Sequence, residues 1–230
     1  MTTATGTTVP AGGTHASRRE RKKLATRRSL RRAALDLVAE RGFAHVTIED
    51  IAEAADVSPR TFFNYFPSKE AALFGTDPER IPVLRERIIH TAPGEPALEA
   101  LRVIMVSDAR TVADELRALG GDPVDWLRRM KGAHADSHLR AARAAQMAMV
   151  ERAIAEGLAE RLGTDPERDP YPSLLAATAA GVFRASISFW AGSGGTVPLE
   201  HLIDQAFRAL ADGLPERREL RNIMGKKDNT

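Results

Sequence analysis

The chain has 230 residues, of which 43 % are hydrophobic, 28 % charged and 5 % aromatic, and it contains no cysteine. That is enough chain to bury a substantial core, and the missing thiols exclude disulfide staples, thiolate nucleophiles, iron–sulfur clusters and zinc ribbons. The net charge of +2 hides an asymmetry: of 33 Lys and Arg and 31 Asp and Glu, nine bases (Arg18, Arg19, Arg21, Lys22, Lys23, Arg27, Arg28, Arg31, Arg32) and one acid, Glu20, lie between Arg18 and Arg32, giving that segment +8 and the rest −6.

Taken in chain order, residues 1–17 are rich in Thr, Gly, Ala and Pro and are expected to be a disordered arm. They lack the basic start and apolar run of a signal peptide. The cationic segment that follows suits a polyanion, because each neutralised phosphate releases counterions; a merely solvated arm has the same composition. Leu30, Ala34, Leu37, Val38 and Phe43 then form a 3.6-residue stripe ended by Gly42. Ile48, Ile51, Ala52 and Ala55 predict a second, short helix, and Phe62, Phe63 and Phe66 a third whose phenyl rings are expected in the core. Pro67, Gly75, Pro78 and Pro82 punctuate the chain and close a first domain over residues 18–75.

Residues 76–214 read as a larger helical domain, and 215–230 as a polar tail. The expected helices are Pro78–His90, Pro96–Leu119, Pro123–Lys131, Ser137–Leu162, Pro172–Ala191 and Pro198–Leu214. No run alternates as a strand would. Ser173–Ala191 is weakly charged but carries Arg184 in mid-span, so it reads as a buried helix and not a membrane span. The expectation is an all-α cytoplasmic protein with no membrane partner: an N-terminal three-helix helix-turn-helix domain, then a helical ligand-binding and dimerisation domain.

The most informative stretch is Val46 to Phe66. Thr47 followed by Asp50 predicts a capping box, with Asp where Glu or Gln is usual. Ala55-Asp56-Val57 is a short connection, Ser58 has N-cap chemistry and Pro59 suits the first helical position. Two short helices joined by such a turn make a helix-turn-helix, whose second helix enters the major groove of double-stranded DNA. There Arg60 matches guanine O6 and N7, and Asn64 matches adenine. Thr61 suits a phosphate or a thymine methyl, and Tyr65 a phosphate. Lys69, in the first turn of the helix opened by Ser68, suits another phosphate.

Residues from about Arg27 to Phe74, about a fifth of the chain, closely resemble the N-terminal domain of the tetracycline-repressor (TetR) family of bacterial regulators. The matching residues are Gly42-Phe43, Val46-Thr47, Asp50-Ile51-Ala52, Val57-Ser58 and Thr61-Phe62-Phe63-Asn64-Tyr65-Phe66-Pro67-Ser68-Lys69-Glu70. The resemblance implies a three-helix DNA-binding head on an all-α, dimerising body that releases DNA when a small molecule binds. It implies phosphate contacts for Thr47, Thr61, Tyr65 and Lys69, and operator selection for Arg60 and Asn64. With Arg27 and Arg28 from the cationic segment, these are the expected DNA-binding residues. Phe63 stands where many members have Tyr, so that hydroxyl contact is absent. The break from Gly75 to Pro82 departs from the longer fourth helix that relays ligand binding in many members.

In the second domain, Leu199, Leu202, Ile203, Ala206, Phe207, Leu210 and Leu214 form a broad apolar stripe, and Ala176, Ala177, Ala180, Gly181 and Ala185 permit close helix approach. Together they suit either a four-helix bundle across a twofold axis or intrachain packing, and the resemblance favours the homodimer. A pocket for a lipophilic or aromatic effector is expected from Val103, Met105, Trp126, Met130, Met147, Val150, Phe183 and Trp190, residues that equally suit a plain core. Arg184 is expected to pair with Glu200 or Asp204, or else to hold a ligand carboxylate.

His134 and His138 have helical metal-ligand spacing but lack the Glu of the zinc-protease motif, and there is no Walker loop, Rossmann fingerprint or nucleophile elbow. The expectation is no enzyme, no metal and no cofactor. The sequence therefore points to a ligand-released homodimeric repressor. The other readings it carries are a ligand-independent architectural DNA-binding protein and, more weakly, a helical interaction module whose basic arm binds RNA or acidic partners.

Overall fold

A computed structural model of the chain describes residues 18–74, 80–120 and 137–214, and all of the described structure is helix, turn or loop. The expected arm over 1–17, the helix Pro123–Lys131 with Trp126 and Met130, His134, Gly75 and the tail over 215–230 lie outside the described residues.

The head begins with α1, Arg18–Arg41. Its first two turns are exposed, and burial begins at Leu30 and continues through Ala33, Ala34, Leu35, Leu37 and Val38. The cationic segment is thus not a loose arm but the projecting half of a helix whose other half is core. Gly42, at φ +79°, ends it, with its N–H on the Val38 carbonyl at 2.9 Å; the left-handed conformation there suits glycine. A short 3₁₀ turn, Phe43–His45, leads to α2, Ile48–Ala54, and then come α3, Pro59–Phe63, and α4, Lys69–Phe74. Leu30, Ile51, Phe62 and Phe66 are fully buried where these helices meet. Each such side chain contributes about 2 kcal/mol of hydrophobic free energy.

The body consists of α5, Arg80–Ile89; α6, Ala97–Ala118; α7, Ser137–Leu162; α8, Tyr171–Gly192; and α9, Leu199–Ala211. Helix α5 packs on α7, α7 on α8, and α9 on both α6 and α8. The α5–α7 crossing is close because Gly157 has no side chain: a Cβ there would lie 3.3 Å from the Arg85 carbonyl oxygen and from Ile88 side-chain carbons. Helix α8 is, among the described residues, the one long and apolar enough to cross a membrane, and its buried positions, Leu175, Ala176, Ala179, Val182, Ser186 and Trp190, face the rest of the body.

The apolar stripe of α9 is divided: Leu199, Leu202, Ile203 and Phe207 are buried against the body, Ala206 and Leu210 are half-buried, and Leu214, past the helix end, is exposed. The small residues of α8 divide between two faces: Ala176 is buried and Ala180 half-buried, whereas Ala177 and Ala185 are exposed, together with Leu174 and Phe189. A link the sequence did not suggest joins α6 to α9. Arg102 donates to Glu99 one turn before it and to Asp204 on α9, and Asp204 also accepts from Arg208 at 2.9 Å. The hydrogen bond to Glu99 and the neighbouring acids hold Arg102 above the ordinary arginine pKa.

Candidate nucleic-acid interface and body cavity

The helix-turn-helix is built by local side-chain chemistry. Thr47 and Asp50 cap α2 reciprocally: the Asp50 N–H donates to Thr47 Oγ1 at 3.1 Å, and the Thr47 N–H donates to Asp50 Oδ2 at 2.8 Å. The Thr47 hydroxyl also donates to that carboxylate at 2.7 Å. The side-chain and backbone hydrogen bonds from Thr47 hold Asp50 below the usual aspartate range. Helix α2 ends in a Schellman arrangement, with the Val57 N–H on Ala52 O at 2.9 Å and the Asp56 N–H on Glu53 O at 3.0 Å. Asp56 takes the left-handed position, at φ +54°, where glycine or asparagine is more usual. Ser58 then caps α3, accepting from the Thr61 N–H at 3.1 Å, with Pro59 in the first turn.

This turn aims α3 outward. Phe62 and Phe66 point into the core, while Arg60, Phe63 and Asn64 are exposed and Tyr65 is half-buried. Phe63 is therefore a correction: it is not core but 56 % exposed, its ring edge-on to Phe62 at a centroid distance of 5.7 Å. The outward surface of α3 thus carries a guanidinium, an amide and a phenyl ring side by side.

The other expected DNA contacts divide by how free their polar groups are. Arg28 is exposed. Arg27 is half-buried, donating to the Tyr65 carbonyl at 3.0 Å with its guanidinium 4.4 Å from the centre of the Phe66 ring. It ties α1 to the residues that follow α3. Lys69 is likewise engaged: its ammonium donates at 2.9 Å to both the Phe43 and the Val46 carbonyls and lies 4.1 Å from the centre of the Phe43 ring. It locks the loop that sets the start of α2. The hydroxyls of Thr47 and Thr61 also have partners, Asp50 and the Ser58 hydroxyl.

Beneath the head lies a cavity of about 470 Å³. Of the expected effector residues, Met105, Met147, Val150, Phe183 and Trp190 line it. Val103 does not: it is half exposed on the other side of α6, because residues two apart on a helix face nearly opposite ways. Arg184 is not in the wall either; it is exposed on α8, and its expected partners are taken by others, Asp204 by Arg102 and Arg208 and Glu200 by Arg110 at 4.0 Å.

The wall also holds residues that sequence reasoning missed. Arg31 and Leu35 come from α1, and Leu73 and Phe74 from α4, so the head itself closes one side. Arg80, Arg87 and Arg143 add charge from α5 and α7, with Asp108 from α6, while Glu115 of the same helix stands outside the lining. Glu115 lies 3.5 Å from Arg31 and 3.2 Å from Arg80, and Asp108 pairs with Arg87. Burial pushes the Arg31 guanidinium below its ordinary value despite Glu115, and burial alone does the same to Arg143. Nothing in their local sequence marks these arginines as inward-facing: Arg31 sits in a run of bases, and Arg143 is one of several arginines spread along α7.

A capped helix-turn-helix with an exposed second helix, set on an all-helical body, defines a DNA-binding regulator of transcription. Residues 30–74 match the family described as bacterial regulatory proteins of the tetR family, and residues 95–215, just over half of the chain, match the MftR C-terminal domain. The chain belongs to the TetR family, with a body of the MftR type. Among relatives, it is 54 % identical over 52 residues to the HTH-type transcriptional regulator TcmR of Streptomyces glaucescens, a match spanning 23 % of each chain. It is 27 % identical over 200 residues to the mycofactocin biosynthesis transcriptional regulator MftR described in Mycobacterium tuberculosis, covering 87 % of this chain and 96 % of that one. The solved structure of the transcriptional regulator FadR of Bacillus subtilis in complex with stearoyl-CoA shares the fold, at 19 % identity and a TM-score of 0.51, over 81 % of this chain and 98 % of that one.

Proposed function

We propose that this regulator is a homodimeric repressor that binds a pseudo-palindromic operator and leaves it when a small apolar effector fills the body cavity. The observation that carries this reading is that one cavity is walled by both head and body, α1 and α4 on one side and α5 to α8 on the others. An occupant that prefers one head position over another shifts the DNA-binding equilibrium by its difference in affinity for the two states.

In this reading Arg60 and Asn64 choose bases, Phe63 lies against sugar or a thymine methyl, and Arg28, Thr47, Thr61 and Tyr65 meet the backbone. Arg27 and Lys69, bound as they are to carbonyls, position the head, and any phosphate role for them is secondary. The exposed face of α8, with Leu174, Ala177, Ala185 and Phe189, is the proposed twofold contact.

The test is footprinting of the full-length protein on genomic fragments, with its mass measured by sedimentation, followed by a screen of apolar compounds for release. The reading requires a dimer, a protected inverted repeat and at least one releasing compound. Salt-sensitive binding without sequence preference, unaffected by any compound, would favour an architectural role instead.

A further inference from the structure

The cavity wall has a one-sided chemistry. Its buried polar side-chain atoms without a partner among the described residues are both donors, Nε of Arg31 and the indole Nε1 of Trp190, and the guanidinium of Arg143 adds a third donor group that no carboxylate meets. The acid of the wall, Asp108, is already engaged with Arg87, and Glu115, outside the lining, is engaged with Arg31 and Arg80. Four arginines thus stand against one carboxylate among the described lining residues, with Glu115 serving two of them from outside, and Arg143 is the one without an acidic partner. Its guanidinium carbon lies over the face of the Phe74 ring, 5.8 Å from the ring centre. The remaining wall is mostly apolar, with Leu84, Met147, Val150, Phe183 and Ile187, and carries Ser107, Thr111 and Gln146 as its neutral polar residues. A guanidinium withdrawn from water without a counter-charge is costly, and the same is true on a smaller scale of the two orphaned N–H groups.

A neutral apolar occupant would leave all three donors dry. A cationic one would add to the surplus of positive charge. Resting on the effector reading above, we propose that the cavity takes an organic anion, an apolar body bearing a carboxylate whose oxygens accept from Arg143. Arg31 Nε and Trp190 Nε1 remain as donors for the same head or for a second acceptor on the ligand. Because Arg31 belongs to α1 and is tied to the body through Glu115, an anion in the cavity competes with that carboxylate for the helix that carries the head.

The experiment is a calorimetric titration of the full-length protein with two matched pairs, decanoate against decanol and 2-naphthoate against 2-naphthalenemethanol. The expected result is that at least one acid binds about tenfold or more tightly than its alcohol, the scale of a charge-assisted hydrogen bond. Arg143→Met is expected to remove most of that preference and Arg143→Lys to keep part of it. Arg152→Gln, on the exposed side of the same helix, is expected to retain it. Melting curves check that each variant is folded, and Arg143→Gln substitutes for the Met variant if that one is not. Acids and alcohols binding equally, or a preference that survives Arg143→Met, overturns the anion assignment while leaving the cavity as an effector site. Binding of none of the four compounds counts against both.

Discussion

Glu115 on α6 stands between Arg31 of the head, at 3.5 Å, and Arg80 of the body, at 3.2 Å. One carboxylate therefore neutralises two guanidinium groups from different elements, one of them nearly buried. Replacing it with Gln leaves both arginines facing each other without a counter-charge. Glu115→Gln is expected to lower stability by about 1–2 kcal/mol in urea unfolding, less than for a fully buried pair because Glu115 is partly exposed. Glu86→Gln, which loses only exposed partners at Arg85 and His90, is expected to cost about 0.5 kcal/mol or less. Equal effects would mean that the Glu115 pairing contributes no more than a surface ion pair.

Lys69 offers a sharper contrast between anchoring and phosphate contact. If its ammonium serves the Phe43 and Val46 carbonyls, Lys69→Met strands two acceptors and destabilises the head by roughly 1–3 kcal/mol. The slope of log affinity against log salt should then stay as in the unaltered protein, once stability is restored by working at lower temperature. A slope reduced by about one would instead assign Lys69 a phosphate.

Arg60 is exposed in the first turn of α3 and is free to reach base edges. Arg60→Ala is expected to cost about 1–3 kcal/mol on the preferred operator and to relax preference at one or two positions. Phe63→Tyr should tighten binding to all sequences alike, because it adds a hydroxyl beside the DNA backbone without adding a base contact. Selection from random duplexes distinguishes these outcomes, and unchanged specificity in Arg60→Ala would remove its reading role.

How much of this was legible beforehand depends on the range of the interaction. The Thr47–Asp50 box, the Ser58 cap and helix α7, Ser137–Leu162, follow from residues within a turn of one another, and the structure has them as expected. Phe63 was legible in principle: Phe62 and Phe66, four apart, share one face, and a residue next to Phe62 is turned about 100° from it. The pairing of Lys69 with carbonyls 23 and 26 residues earlier was not legible, since only the folded head brings them together. The apolar half of the cavity came through in Met105, Met147, Val150, Phe183 and Trp190. Its charged half did not, because Arg31 sits in a run of bases and only tertiary packing turns it inward.

Acid should weaken the protein through identifiable groups. Asp50 is held below its ordinary pKa by the hydrogen bonds from Thr47, and Glu99 by that from Arg102. Asp204 is also lowered: its burial acts to raise it, but hydrogen bonds from Arg208 and Arg102 prevail. A folded-state pKa below the unfolded one contributes stability above the unfolded value, near pH 4, that is lost as pH falls through the folded value. Denaturation midpoints should accordingly fall below about pH 4, and less steeply in Asp50→Asn, which has already lost its share. Parallel acid limbs in the two proteins would show that the cap does not titrate as described.

Gly157 tests the body in the same spirit. A side chain larger than hydrogen meets the Arg85 carbonyl and Ile88 at the α5–α7 crossing. Gly157→Val is expected to cost about 1–3 kcal/mol by forcing the helices apart, despite relieving the helix of a glycine. Thermal unfolding at or above that of the unaltered protein would show that the crossing has slack.

Helices α1 and α4 each serve two masters, presenting one side to the buried compartment and building the DNA-binding unit with the other. In the proposed reading, chemical taste and operator choice are consequently written on separate residues of a shared scaffold. On that reading, variation at Met147 or Phe183, which line the cavity, retunes what is sensed without touching Arg60 or Asn64 on the outer side of α3, and the reverse holds as well. Such a layout would let new signals and new target genes be acquired independently, through substitutions at separate positions.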